Sequence, residues 1–343
     1  MSEAGIQLKN ELTAKNLASD EEVRWCPGCG DYAILKTVQK TIPRLGIARE
    51  NLVFVSGIGC AARFPYYMST YGFHTIHGRA PAVATGIKLS NPELDVWVIT
   101  GDGDALSIGG NHLIHTLRRN VDLQILLFNN GVYGLTKGQY SPTSVIGQRT
   151  PSTPEGVVDN PMAACRLALG AGARFVARSF DTAGKHLEEV LVRAHAHRGA
   201  SFVEIFQNCN VYNDEAFASF TNRKQAHDRQ LRAEHGKPLL FGKDREKGIR
   251  LDPQTMRLEV VEPSKGGATM DDVLIHDETN PLIAQMLLSM DEQDFPTALG
   301  VLYCDPGPTL VTEIYKQRDA VRDKRDDADL QRLLESGHTW TVS

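Results

Sequence analysis

Residues 95–135 read DVWVITGDGDALSIGGNHLIHTLRRNVDLQILLFNNGVYGL, and this stretch decides the fold. Apolar, β-branched runs at 96–100 and 123–128 flank a helix-length segment at 106–118. Runs apolar at every position belong to strands covered on both faces. A strand–helix–strand unit with right-handed crossover makes the two strands parallel and puts their C-terminal ends on one edge. Each strand ends in a polar site, Gly101-Asp102-Gly103-Asp104 after the first and Asn129-Asn130-Gly131 after the second, so Asp102 and Asn130 face one ligand. A hard divalent cation such as Mg²⁺ takes oxygen ligands in an octahedron, one or two from side chains and the rest from water and phosphates. The Asp102 carboxylate, the Asn130 amide oxygen and a main-chain carbonyl near Val132 supply such a set. Gly101 and Gly103 let backbone N–H groups come close to an anion. Gly-Asp-Gly alone is a common loop and Asn-Gly alone a common turn; their pairing at two strand ends is the specific signal. The sequence has no Gly-Lys-Ser/Thr of a P-loop, and Leu106 stands where a dinucleotide fingerprint needs its third glycine.

Outward from this unit, further strands are expected at 52–55, 174–177 and 202–206, with helices at 31–42, 161–169 and 182–196, the last ending in His195, His197 and Arg198 before Gly199. The alternation predicts an α/β fold, a mostly parallel sheet with helices on both faces. Residues 20–215 form the binding domain of this reading, and 1–19 an N-terminal extension. Residues 216–343, poorer in apolar runs and broken by a Gly/Lys/Asp-rich stretch at 237–250, form an extended, loop-rich C-terminal segment that wraps the domain or reaches a partner. Within it, 309–334 alternates acids and bases as a solvated surface helix.

The 343 residues carry 37 Lys and Arg against 42 Asp and Glu, a net charge of −5, and 41% are hydrophobic. That balance argues against nucleic acid as a partner. The longest apolar runs fall far short of a membrane span, and the N-terminal MSEAGIQLKNELTAKN lacks a signal-peptide pattern. The expectation is a cytoplasmic protein with reduced thiols.

Its six cysteines are then metal ligands or core filler. Cys26-Pro27-Gly28-Cys29 is a two-thiolate clip. Cys60 follows the strand at 52–55 and Cys209 the strand at 202–206, so both fall on the sheet edge where ligands collect. Cys165 sits among Ala163, Ala164, Leu167 and Ala168 as a buried thiol, and Cys304 is unassigned. Four thiolates hold zinc or an iron–sulfur cluster; structural zinc usually comes as two short clips, so the scattered spacing favours iron–sulfur.

The run GDGDALSIGGNHLIHTLRRN at 101–120 with FNNGVYGLTKGQ at 128–139 resembles the diphosphate-binding motif of thiamine diphosphate enzymes. More fully, it resembles the β subunit of 2-oxoacid:ferredoxin oxidoreductases, above all those acting on 2-oxoglutarate. The likeness covers about residues 20–220 and returns in FP..LGVLYCDP at 295–306. It implies a thiamine diphosphate-binding fold in which Asp102, Asn130 and the Val132 carbonyl hold Mg²⁺, with Gly101, Gly103 and His77 at the cofactor. Thr136 is a further candidate contact. Cys26, Cys29, Cys60 and Cys209 match the ligands of the family's [4Fe-4S] centre. The implied reaction is oxidative decarboxylation of 2-oxoglutarate with coenzyme A to succinyl-CoA and CO₂, or its reverse, with electrons passing through the cluster to ferredoxin.

Pyruvate or a branched-chain 2-oxoacid is an alternative substrate. A non-redox thiamine diphosphate decarboxylase or synthase and a zinc-stabilised binding protein are the competing classes; the four cysteines weigh against the first and the Asp102/Asn130 pair against the second. Arg63 and Lys137 fit anion contacts or solvated cations, and no catalytic residue is assigned to this chain. The glutamate that such catalysis needs beside the aminopyrimidine ring is expected from an α subunit, because residues 20–210 are used by the diphosphate half. An (αβ)₂ assembly follows.

Overall fold

The computed structural model describes residues 12–263, 265, 267–322 and 330–342. Residues 1–11 of the expected N-terminal extension and 323–329 of the expected C-terminal helix lie outside the described residues. Eleven strands are described: β1 (Leu52–Ser56), β2 (Tyr71–His74), β3 (Asp95–Gly101), β4 (Leu123–Asn129), β5 (Phe175–Phe180), β6 (Ala200–Phe206), β7 (Gln230–Ala233), β8 (Leu240–Phe241), β9 (Lys247–Asp252), β10 (Arg257–Val261) and β11 (Thr297–Cys304). Eight of them make one sheet in the order β2-β1-β3-β4-β6-β5-β11-β7, and β8 to β10 form a small antiparallel sheet.

From β2 to β5 every neighbouring pair is parallel. In β1, β4 and β6 every residue is buried, as a strand covered on both sides requires. Alternate side chains divide between two cores. Leu52, Phe54, Trp97, Ile99, Leu126 and Phe128 pack beneath the helices α1 (Asp31–Thr41) and α6 (Gly184–Ala196). Their burial at Ile34, Leu35 and Val38, and at Leu187, Val190, Leu191 and Ala194, follows the helical repeat. Val53, Val55, Val96, Val98, Ile125 and Leu127 face the other way. There they meet α2 (Ala80–Ser90), α4 (Gly110–Arg118), α5 (Ala164–Gly170) and the helix Pro281–Leu288.

Two features differ from the sequence reading. The segment expected as one helix at 106–118 is two, α3 (Asp102–Leu106) and α4, separated at Ser107–Gly109. A Cβ on Gly109 would lie 2.4 Å from the Asp104 carbonyl oxygen and 3.0 Å from Gly78 Cα, so the break is where the loop carrying His77 presses against the corner. The sheet also continues past residue 215. β11 runs antiparallel to β5, and β7 runs parallel to β11. Leu231, Ala233, Ala298 and Leu302 join the core formed by the earlier strands. Beyond it, Leu310–Arg322 and Leu330–Leu334 are helical. Among the described residues no helix is long and apolar enough to cross a membrane.

Register fixes where the ligands gather. Ser56 pairs with Ile99, Gly101 with Phe128 and Asn129 with Phe206, so β1, β3, β4 and β6 finish side by side. From β1 the chain crosses to β2 on one side and then to β3 on the other. Such a reversal of direction opens a crevice beyond the C-terminal strand ends.

Candidate active site

A cavity opens at that crevice. Its walls include Gly101 at the end of β3 with Asp102 and Gly103 after it, Asn130 and Val132 after β4, Thr136 further along the same loop, and His77 from the loop before α2. All seven residues singled out around the diphosphate are therefore brought together. No lysine or arginine lines this cavity among the described residues.

Asp102 is buried, and its Oδ2 accepts hydrogen bonds from Ser141 Oγ at 2.5 Å and Thr143 Oγ1 at 2.6 Å. Burial raises its pKa above the usual carboxylate value, and the two hydroxyls act against the rise. A buried carboxylate without a cationic side chain beside it fits a bound divalent cation, which supplies the missing charge. Asn130 donates from Nδ2 to Gln207 Oε1 at 3.0 Å and accepts the Val132 N–H on Oδ1 at 3.2 Å. Gly103 is needed for a reason the sequence did not show. A Cβ there would come within 2.1 Å of the Tyr133 ring, whose hydroxyl donates to the Gly103 carbonyl at 3.3 Å. Thr136 is exposed and donates to Gln139 Oε1.

A second cavity shares the wall formed by Cys60, Asn130, Gly134 and Leu135 and is lined by Cys26, Cys29, Cys60 and Cys209. The four thiols come from three places, the clip before α1 and the ends of β1 and β6. Gly134 joins them to the β4 loop: a Cβ there would lie 3.5 Å from Cys60 Sγ and 3.7 Å from Cys209 Sγ. Trp25 Nε1 donates to the Cys60 carbonyl at 2.7 Å. Asn210 Nδ2 donates to the Pro27 carbonyl at 2.7 Å, close against Gly28, whose φ of +85° suits glycine. Burial pushes the Cys60 thiol up to about 12, and it raises Cys29 as well, with the Asp31 carboxylate adding to both. Desolvated thiols of this kind become good ligands when a metal supplies the opposing charge. Among the described residues no three His, Cys, Asp or Glu side chains converge as they would on a single metal ion. Four cysteines around one cavity match the ligand count of an iron–sulfur centre.

Cys165 is fully buried in the core, its Sγ 3.8 Å from the Ala177 carbonyl oxygen, and Cys304 lies 3.9 Å from His197 Nδ1. Arg63 and Lys137 line the cysteine cavity.

At 49% identity over 333 residues, the chain is similar to 2-oxoglutarate oxidoreductase subunit KorB of Mycobacterium tuberculosis, an alignment spanning 96% of this chain and 88% of that one. It belongs to the 2-oxoacid:ferredoxin oxidoreductase β subunits. A further relative, 2-oxoacid:ferredoxin oxidoreductase subunit beta of a Sulfolobus species, is 45% identical over 209 residues, 60% of this chain and 67% of that one. The family described as "Thiamine pyrophosphate enzyme, C-terminal TPP binding domain" matches residues 57–205. Among solved structures, the 2-oxoglutarate:ferredoxin oxidoreductase from Magnetococcus marinus with 2-oxoglutarate, coenzyme A and succinyl-CoA bound aligns with a TM-score of 0.77. That match has 31% identity and covers 99% of this chain and 100% of the other.

The sequence reading of this β subunit missed Ser141, Thr143, Gly134, Trp25 and Gln207. Ser141 and Thr143 lie in an irregular stretch after β4 and reach Asp102 only through the fold. For Gln207 a signal existed, since it stands between the end of β6 and Cys209 on the ligand-bearing edge.

Proposed function

We propose that this chain is the β subunit of a 2-oxoglutarate:ferredoxin oxidoreductase that binds thiamine diphosphate, Mg²⁺ and a [4Fe-4S] cluster. With coenzyme A it converts 2-oxoglutarate to succinyl-CoA and CO₂, or runs the reverse, and passes electrons to ferredoxin. The observation that carries this reading is the pair of cavities with a common wall, one lined by the diphosphate-site residues and the other by four thiols. Thiamine diphosphate, when bound, supplies the carbon nucleophile for 2-oxoacid decarboxylation, and an iron–sulfur cluster beside it accepts the electrons singly.

The chain's own contribution is to hold and orient. Asp102, Asn130 and the Val132 carbonyl hold Mg²⁺ against the diphosphate, while Ser141 and Thr143 fix the Asp102 carboxylate in one rotamer. Gly101, Gly103, His77 and Thr136 contact the cofactor. Ile58, Phe128, Val132 and Leu135 give the cavity an apolar lining. Cys26, Cys29, Cys60 and Cys209 ligate the cluster. The cavity's two carboxylates are both engaged: Asp102 by hydroxyls, and Asp104 by the N–H groups of Ile58 and Gly78 and the Thr100 hydroxyl. The glutamate that activates the cofactor therefore comes from the α subunit, in an (αβ)₂ assembly that works in the cytoplasm.

The test is to express the chain with and without its α partner, purify both anaerobically, and assay iron, sulfide, thiamine diphosphate and 2-oxoglutarate- and coenzyme A-dependent reduction of a low-potential dye. About four irons and four sulfides per chain, with turnover only in the pair and 2-oxoglutarate preferred to pyruvate, is the expected result. Zinc in place of iron, or full turnover by the isolated chain, would overturn it.

A further inference from the structure

We propose that Gln207 is a positioning residue that couples the two cofactor sites, its side-chain amide holding Asn130 at one end and donating to the Cys29 sulfur at the other. The inference rests on the cofactor assignment just given and adds a residue to it.

Gln207 is 1% exposed and directly follows β6. Its backbone N–H donates to the Asn129 carbonyl at 2.8 Å, which pins it to the end of β4. A primary amide offers two N–H donors and one carbonyl acceptor, and each is used. Nε2 donates to Cys29 Sγ at 3.4 Å and to the Asn208 carbonyl, while Oε1 accepts from Asn130 Nδ2 at 3.0 Å. Gly30 leaves room for Asp181 first and for this side chain second, because a Cβ there would stand 2.0 Å from Asp181 Oδ2 and 3.0 Å from Gln207 Cγ.

The orientation of one amide sets the other. The sulfur and the Asn208 carbonyl are both acceptors, so the nitrogen end of Gln207 must face them and its oxygen must face Asn130. Asn130 is then obliged to turn its own nitrogen to Gln207. That leaves its Oδ1 to accept the Val132 N–H at 3.2 Å, with a second lone pair open to Mg²⁺. An apolar residue at 207 would let the Asn130 amide turn over. At the other end, an N–H donor to a ligating sulfur stabilises the more negative, reduced cluster, so losing it makes the reduction potential more negative.

The experiment uses the αβ holoenzyme with two substitutions. Gln207→Leu removes both contacts, and Gln207→Glu, measured at a pH high enough to keep it ionised, keeps an acceptor for Asn130 and has no proton to give the sulfur. Two quantities are measured: the affinity of the cofactor-stripped enzyme for Mg²⁺-thiamine diphosphate by calorimetry, and the cluster potential by a redox titration followed by electron paramagnetic resonance. For Gln207→Leu the affinity falls roughly tenfold, the loss of about one net hydrogen bond, and the potential moves negative. For Gln207→Glu the affinity stays within about threefold of the parent while the potential still moves negative.

A third measurement needs no substitution. Unaltered holoenzyme is made with the heavy nitrogen isotope at glutamine side-chain amides, and pulsed resonance of the reduced cluster should show coupling to that nitrogen. Iron present with neither quantity changed in Gln207→Leu, or with no amide coupling in the unaltered enzyme, overturns the coupling role alone. Unaltered enzyme that carries no iron overturns the cofactor assignment, and the coupling role with it.

Discussion

The oxygen-lined cavity beyond β3 and β4 and the sulfur-lined cavity beyond β1 and β6 share Cys60, Asn130, Gly134 and Leu135, yet they hold their ligands by different means. On the oxygen side Asp102 is fixed by two hydroxyls from residues 141 and 143, far along the chain. On the sulfur side the clip is held mostly through backbone atoms, with the Cys29 N–H donating to the Cys26 carbonyl at 3.0 Å and Asn210 donating to the Pro27 carbonyl. Burial raises the pKa of Asp102 in one and of Cys29 and Cys60 in the other. In both cavities burial thus works against the charged form of these three groups, a cost that a bound cation offsets. The cavities differ in what the backing side chains grip, the Asp102 carboxylate itself on one side and chiefly main-chain carbonyls beside the cysteines, those of Pro27 and Cys60, on the other. Substitutions around the ligands should therefore weaken the oxygen site in steps, whereas the sulfur site fails when a ligand itself is lost.

The largest effects separate the sites. Asp102→Ala should lower Mg²⁺-thiamine diphosphate affinity by more than about a hundredfold, since outer partners of a metal ligand alone are worth about 10–100-fold. The iron content should stay unchanged. Unaltered cofactor retention, measured by calorimetry on the anaerobic protein, would break the division. Cys60→Ala should lose or degrade the cluster while the fold persists. Cys165→Ala should keep all its iron and cost only about 1 kcal/mol, as a small buried hydrophobe does, which urea unfolding can check. Loss of iron in the Cys165 variant would mean that the ligand set is wrong.

A smaller effect tests the backing. Thr143→Val and Ser141→Ala should each weaken Mg²⁺-thiamine diphosphate binding about tenfold without moving the cluster's absorbance. If both bind as the parent does, the hydroxyls merely fill space and the comparison loses its oxygen half.

How much of this was legible follows from where each part sits. The central strands β1, β3, β4, β5 and β6 read directly, because parallel strands covered on both faces leave unbroken apolar runs. β2, whose four residues are all exposed, had no such signature. β11 carries an apolar run but departs from a regular strand at Gly300, whose φ is +107°, and at the register shift between Val301 and Tyr303. The diphosphate-site residues and the four cysteines were legible because they follow strand ends or make a local clip. Ser141, Thr143 and Gln207 were not, because each acts through a contact made only when distant segments meet.

The last effect concerns the opposite end of the sheet, outside both cavities, and it shows what burial does to a titrating histidine. His197 is 4% exposed, lies with its ring 5.5 Å from that of Phe175 at a tilt of 42°, and has a buried Nε2 with no hydrogen-bond partner. Burial lowers its pKa from 6.5 to about 4, so the folded protein keeps the ring neutral while the unfolded chain takes up a proton below 6.5. The unfolded state then binds more protons, and stability falls as the pH drops through that window; above 6.5 neither state is protonated and the penalty is absent. A tenfold difference in proton affinity between the two states is worth about 1.4 kcal/mol, so the loss reaches at most about 3 kcal/mol near pH 4. His197→Phe removes the titrating group and leaves a ring against Phe175. The drop in unfolding free energy between pH 7 and pH 4.5, measured in urea, should be smaller in this variant by about 2 kcal/mol. An equal drop in both proteins would place the acid sensitivity in other groups, with His186 and His276, whose pKa values burial also lowers, the next to examine.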